Sequence, residues 1–216
     1  MIRVIVADDH NLVRQGIRAL LEKDNNIKVV GEARDGVEAL ELVKYLKPDI
    51  LVVDINMPKI DGIEVIKRIS QMQLRTRTVI LSMYLDESLV KKAIKSGAEG
   101  YLVKQSITED LIKAVYAVYA NEIHLSPIIT RKMNLEVILS EAAEDDDPFE
   151  RLSAREREIC KLVAEGHTNQ AVATDLGISI KTVEKHRANI MYKFGLHDTA
   201  SLVREAIRHN LIFLES

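Results

Sequence analysis

The chain has 216 residues, of which 47% are hydrophobic and 29% charged, with a formal net charge of −3 at pH 7. This composition excludes a disordered or fibrous chain and gives enough length for two modest domains, each burying a core. One cysteine, Cys160, excludes a disulfide framework and a cysteine-rich zinc site, and no apolar run nears the roughly 20 residues of a membrane span, so a cytoplasmic protein with no membrane partner is expected.

Charge is unevenly distributed. Lys plus Arg against Asp plus Glu runs 18 to 17 over residues 1–120, 2 to 8 over 121–150 and 10 to 8 over 151–216. The acidic stretch SEAAEDDDPFE, Ser140 to Glu150, contains Pro148 and little that can pack, which is the composition of a solvated connector. Three regions are predicted: a first domain at 1–120, a linker at 121–148 and a second domain at 149–216.

From the N-terminus, IRVIVA, IKVVGEA, DILVVD, TVILS and GYLVK are short runs rich in Val and Ile, as strands buried on both faces of a parallel sheet must be. Amphipathic segments separate them; in DGVEALELVKYLK, residues Val37, Leu40, Leu42, Val43 and Leu46 recur at helical spacing. The alternation predicts a doubly wound α/β domain on a five-stranded parallel sheet. Ligands of such sheets sit beyond the carboxyl ends of the strands. Asp8 and Asp9 follow the first strand, Asp54 ends the third, Ser82 the fourth and Lys104 the fifth, so all five are expected on one rim.

Two like charges roughly 4 Å apart repel by about 4 kcal/mol at an effective dielectric of about 20. A small hard cation that accepts few protein carboxylates, most plainly magnesium, offsets that repulsion. Beside it Asp54 is a candidate nucleophile toward a phosphoryl group whose oxygens Ser82 and Lys104 would hold. Taken singly, the residues have plainer roles: Asp9 could cap the helix NLVRQGIRALL, Tyr101 could pack, and Ser82 and Lys104 could be ordinary polar side chains. Their joint placement at strand ends carries the site reading.

The last 66 residues have a different grammar. LSAREREICKLVAEG opens on Ser153 with Glu156 three residues later, the spacing of a capping box, and stops at Gly166. TNQAVATDLG is a short helix ending at Gly177, and SIKTVEKHRANIMYKFG runs from Ser179 to Gly195. A short helix, a tight turn and a longer basic helix make a helix-turn-helix. Stepping about 100° per residue places Ile180, Val183, Ile190 and Phe194 on one side of the long helix. Lys181, Lys185, Ala188, Asn189 and Tyr192 fall on the opposite side, with Thr182 and Glu184 on its flanks, a face suited to a major groove.

VADDH, LVVDINMPKIDG, VILSM and GYLVK together resemble the receiver domain of bacterial two-component response regulators, over about residues 1–120. The resemblance implies that Asp54 accepts a phosphoryl group from a sensor histidine kinase. It implies that Asp8, Asp9, Asp54 and the main-chain carbonyl of Asn56 hold Mg2+, and that Ser82, Tyr101 and Lys104 respond to phosphorylation, Tyr101 turning inward as Ser82 shifts. Gln105 stands where many receivers carry a proline. LSAREREI, GHTNQAVATDLGISIKTVEKHRANIMYKFG and DTASLVREAI resemble the LuxR-type (NarL/FixJ) output domain, although NQAVA departs from the Lys-Glu-Ile-Ala common there.

This second resemblance implies that Lys181 to Lys193 form a recognition helix for promoter double-stranded DNA, contacted through Lys181, Thr182, Glu184, Lys185, Ala188 and Asn189. It also implies that the last helix, with Thr199, Leu202, Val203 and Ala206, supplies the face of a homodimer formed on phosphorylation. A phosphorylation-dependent transcription regulator is expected rather than an enzyme. A phosphohydrolase with a strand-end nucleophile would carry Asp-x-Asp where this chain has Asp54-Ile55-Asn56.

Overall fold

The computed structural model describes residues 1–72, 74–133, 149, 152–196, 198–209 and 211–212. The chain divides into two units, Met1–Ala142 and Ala143–Ser216.

In the first unit strands and helices alternate: β1 (Ile2–Ala7), α1 (Asn11–Leu21), β2 (Ile27–Ala33), α2 (Gly36–Leu46), β3 (Ile50–Asp54), α3 (Gly62–Gln71), β4 (Arg77–Ser82), α4 (Glu87–Lys95) and β5 (Gly100–Val103). A 3-10 turn at Lys104–Ser106 leads into α5 (Ile107–Tyr119), followed by β6 (His124–Leu125) and α6 (Pro127–Lys132). The strands pair in parallel in the order β2-β1-β3-β4-β5-β6. Their apolar residues are buried on both faces: Val4, Val6, Val52, Val79 and Leu81 pack against Ile17 and Leu21 of α1 and Leu111, Val115 and Val118 of α5, while Ile5, Leu51, Val53 and Ile80 are also fully buried. Asp35, Asp61 and Asp86 cap α2, α3 and α4 by accepting the N–H groups of Glu38, Glu64 and Leu89. Asp9 caps nothing; the residue preceding α1 is His10, whose side chain makes no capping bond.

The sheet has six strands rather than the five expected. The sixth lies within the stretch taken for linker, as does α6. At two residues β6 is too short to show a periodicity in sequence, and its pairing is written in the main chain: His124 N–H donates to the Glu99 carbonyl at 2.9 Å and Ser126 N–H to the Tyr101 carbonyl at 3.0 Å. Ordered structure therefore continues to Met133; the rest of the expected linker, 134–148, lies outside the described residues.

The second unit contains α7 (Ala154–Ala164), α8 (Asn169–Asp175), α9 (Ile180–Phe194) and α10 (Thr199–Arg208). The capping box is present: Ser153 Oγ accepts Glu156 N–H at 3.3 Å, and Ser153 N–H donates to Glu156 Oε2 at 2.8 Å. The same carboxylate receives Lys193 Nζ from α9 at 2.7 Å. Burial opposes ionisation of Glu156, yet Lys193 and Ser153 prevail and hold its carboxyl down to about 2. Gly195 ends α9 in the left-handed conformation at φ 62°, a strained setting for a side chain. The core joins Phe149, Ile159, Cys160, Val172, Val183, Ile190, Leu202 and Ala206. Among the described residues, no helix is long and apolar enough to cross a membrane.

Candidate functional site

The parallel register aligns the strand ends, with Asp54 opposite Leu81 and Ser82 opposite Val103. One ammonium joins two of them. Lys104 Nζ lies 2.8 Å from Asp8 Oδ2 and 2.9 Å from Asp54 Oδ1, and the three side chains are 12%, 0% and 5% exposed. The protein thus supplies part of the offset for its own carboxylates. Asp8 is held further by His10 N–H on Oδ1 at 2.8 Å, and its main-chain carbonyl accepts from Arg14 Nη1 at 2.7 Å. Asp9 is exposed and faces His10 Nδ1 at 2.7 Å.

Burial pushes the Asp54 carboxyl up to about 6; Asp8 and Asp9 act in the same direction and Lys104 against it. Burial lowers Lys104, but Asp54 and Asp8 outweigh it and leave the ammonium above its ordinary range. An acidic, low-dielectric pocket that holds a carboxylate with a shifted pKa beside a fixed cation has the make-up of a functional site.

Asp8, Asp9 and His10 offer ligand atoms that all lie within 4.8 Å of one another. Two adjacent carboxylates with a third across Lys104 are hard oxygen donors, and this donor set fits a small divalent cation that retains water ligands. The half-buried Asn56 follows β3 by two residues. Ser82 is buried and its Oγ accepts the N–H of Tyr84 at 3.0 Å. Tyr101 already points inward: it is fully buried, and its hydroxyl donates to the Tyr84 carbonyl at 3.3 Å. Burial drives that hydroxyl far above its ordinary range, and Ser82 opposes the shift only in part, so it remains a donor.

On α9 the buried positions are Val183 and Ile190. Lys181, Glu184, Lys185, Ala188 and Asn189 are exposed and Thr182 is half-buried, its N–H given to the cap Ser179 at 3.1 Å. Tyr192 is 88% exposed on the same side. Two sequence placements need correction. Ile180, assigned to the packed side, is 39% exposed, and Val183 of the same turn is the residue that enters the core. Leu202 and Ala206, assigned to a dimer face, are 1% and 0% exposed; they are the inward stripe of α10 and complete the core of their own unit. Thr199 is exposed and its Oγ1 accepts Arg187 Nη2 at 3.0 Å, and Val203 is half-buried against that core.

Residues 4–116 match the family model of the response regulator receiver domain, and residues 150–206 match that of the bacterial regulatory proteins of the luxR family. The oxygen regulatory protein NreC of Staphylococcus aureus is 36% identical over 214 residues, spanning 97% of this chain and 99% of NreC. The chain belongs to the response regulators.

Solved response regulators share its architecture. The signal receiver domain of NarL from Mycobacterium tuberculosis is 37% identical with a TM-score of 0.55, covering 56% of this chain and 98% of that one. The response regulator RcsB in complex with DNA is 29% identical with a TM-score of 0.58, covering 94% and 96%. Receiver and luxR-family domains in one chain make this response regulator a phosphorylation-dependent, DNA-binding transcription regulator.

Two further residues border this site in the receiver half, beyond the reach of strand-end logic. His10 completes the donor cluster at the Asp8 end and was visible in the sequence beside the two aspartates. Gly62 opens α3 directly against the Asp54 main chain, where a methyl group would run into the Asp54 carbonyl oxygen. Only the glycine within PKIDG hinted at that approach.

Proposed function

We propose that Asp54 is the phosphoacceptor of this response regulator and that a sensor histidine kinase is its donor. An Asp54 carboxylate oxygen attacks phosphorus, the P–N bond to the kinase imidazole breaks, and the electron pair returns to that ring nitrogen. The reading rests on one observation above the others: a buried lysine ammonium bridging Asp8 and Asp54. Lys104 is placed to follow the oxygens of the transferred group, and the Ser82 hydroxyl sits at the neighbouring strand end. Asp8, Asp9, Asp54 and the Asn56 carbonyl would hold Mg2+, which when bound screens the charge spread over the phosphoryl oxygens. Phosphorylation adds negative charge at the rim, biases the Ser82 and Tyr101 pair, and favours a homodimer in which two copies of α9 read promoter DNA half-sites. Lys181, Thr182, Glu184, Lys185, Ala188 and Asn189 form the contact face, and the protein acts in the cytoplasm. Domain limits of 1–133 and 149–216 with a connector between them suit this division of labour.

Radiolabelled acetyl phosphate with Mg2+ is the direct test. The native chain takes up label and Asp54→Asn does not; undiminished labelling of the variant overturns the assignment. Selection from a random duplex pool, with and without acetyl phosphate, tests the output half, and absence of any enriched sequence rejects sequence-specific DNA binding.

A further inference from the structure

The 3-10 turn that carries Lys104 is fastened to the rest of the receiver unit by buried polar side chains that the phosphoryl chemistry does not itself use. Val103 ends β5, and its N–H donates to Ser126 Oγ at 3.2 Å. Ser126 Oγ donates in turn to Asp110 Oδ2 at 3.0 Å, and the other oxygen of Asp110 meets His124 Nε2 at 3.1 Å. On the far side of Lys104, Ser106 Oγ lies 3.2 Å from the Val103 carbonyl, to which it donates, and 3.3 Å from Ser126 Oγ. Ser126 and Asp110 are 0% and 3% exposed.

Burying a carboxylate and a hydroxyl is costly unless each finds partners, and a fully satisfied network rigidifies whatever it touches. Here it touches the residues on both sides of Lys104. Ser126 extends the short β6 by one rung: its N–H donates to the Tyr101 carbonyl at 3.0 Å, as a ladder residue would, and its side-chain oxygen then takes the next N–H, that of Val103. Gln105 follows Lys104, so no proline ring restrains this turn, and its course depends on such bonds. Lys104 in turn must reach two carboxylates at once. Small errors in the placement of a charged group cost rate steeply.

We propose that Ser126, oriented by Asp110, is a positioning residue for Lys104: it fixes the end of β5 so that the ammonium is presented to the phosphoryl group on Asp54. This rests on the assignment of Asp54 and Lys104 made above. The test uses the full chain, acetyl phosphate as donor and gel separation of phosphorylated from free protein. Ser126→Ala is expected to slow phosphorylation at saturating donor by about tenfold or more, while the Mg2+ concentration for half-maximal rate stays as in the native chain.

Because Ser126 acts through Lys104, the double variant Ser126→Ala, Lys104→Ala reacts no more slowly than Lys104→Ala alone. A native rate in Ser126→Ala overturns the proposal, as does a double variant slower than Lys104→Ala by the full Ser126→Ala factor. Should Ser126→Ala fail to fold by circular dichroism, Ser106→Ala, which removes a half-buried hydroxyl of the same network, goes through the same cycle with the same outcomes decisive. Asp54→Asn runs in parallel: a phosphorylated band from that variant rejects the acceptor assignment itself, whereas additive rates with Asp54→Asn silent reject only the role of Ser126.

Discussion

Lys104 carries the densest set of consequences of any single side chain here, because it is the cation within reach of both Asp8 and Asp54 while burial works against all three charges. Asp54 titrates near 6 in the folded chain against 3.8 when free, so between those values the native state binds more protons than the unfolded one. Stability therefore falls as pH rises from about 4 to 6 and the penalty is complete above that window. In a magnesium-free buffer, urea unfolding should show Asp54→Asn more stable than the native chain at pH 7, by on the order of 2–3 kcal/mol, with the gap closing toward pH 4. Equal stability at pH 7 would show that Lys104 fully offsets the buried charge. Asp8, Asp54, Ser82 and Lys104 were legible in sequence because a polar residue after a Val- and Ile-rich run marks a strand end. Asp110 and Ser126 were not, since their significance is a contact between α5 and the residue that follows β6.

At the scale of elements, α10 shows how an amphipathic stripe can mislead. Leu202, Val203 and Ala206 have the spacing of a partner-binding face, and the spacing is equally that of a helix closing its own core, which is what α10 does. Leu202→Ala is expected to destabilise the second unit by about 2–5 kcal/mol in thermal unfolding, as removal of a core side chain does. A stable variant that merely loses self-association would restore the dimer-face assignment.

For α9, Lys181, Lys185, Ala188 and Tyr192 lie along a line opposite Val183 and Ile190. Lys185→Ala should weaken binding to a selected duplex by about 1–3 kcal/mol relative to a random one if the side chain reads a base. Uniform loss on both, with the salt slope reduced by about 1, makes it a phosphate contact. Helix limits were legible to within a residue or two because Ser153, Ser179, Gly166, Gly177 and Gly195 punctuate them, whereas β6 had no such marks.

Across the whole molecule, two separately cored units divide phosphoryl chemistry from DNA recognition. Residues 151–216, which carry the helix-turn-helix, are only mildly basic, with 10 cations to 8 anions, so one copy holds few phosphates. Doubling the contacts by dimerisation is the direct remedy. Sedimentation of the full chain should move toward a dimer on addition of acetyl phosphate and Mg2+, and Asp54→Asn should not respond. A native chain that stays monomeric while gaining affinity for a selected duplex would assign the switch to packing within one chain instead.

By itself the sequence determined the alternation of strands and helices, the presence of two units, the aspartates and lysine at the strand ends, and the exposed basic stripe of α9. These follow from local rules: burial on both faces, helical periodicity and capping. Only the tertiary structure decided that Lys104 spans Asp8 and Asp54, that Tyr101 is already inward, that a sixth strand ties down the turn behind Lys104, and that Leu202 and Ala206 are interior. Each of those depends on side chains far apart in sequence meeting within a few ångströms, and no periodicity along the chain encodes which of several buried faces a residue will find.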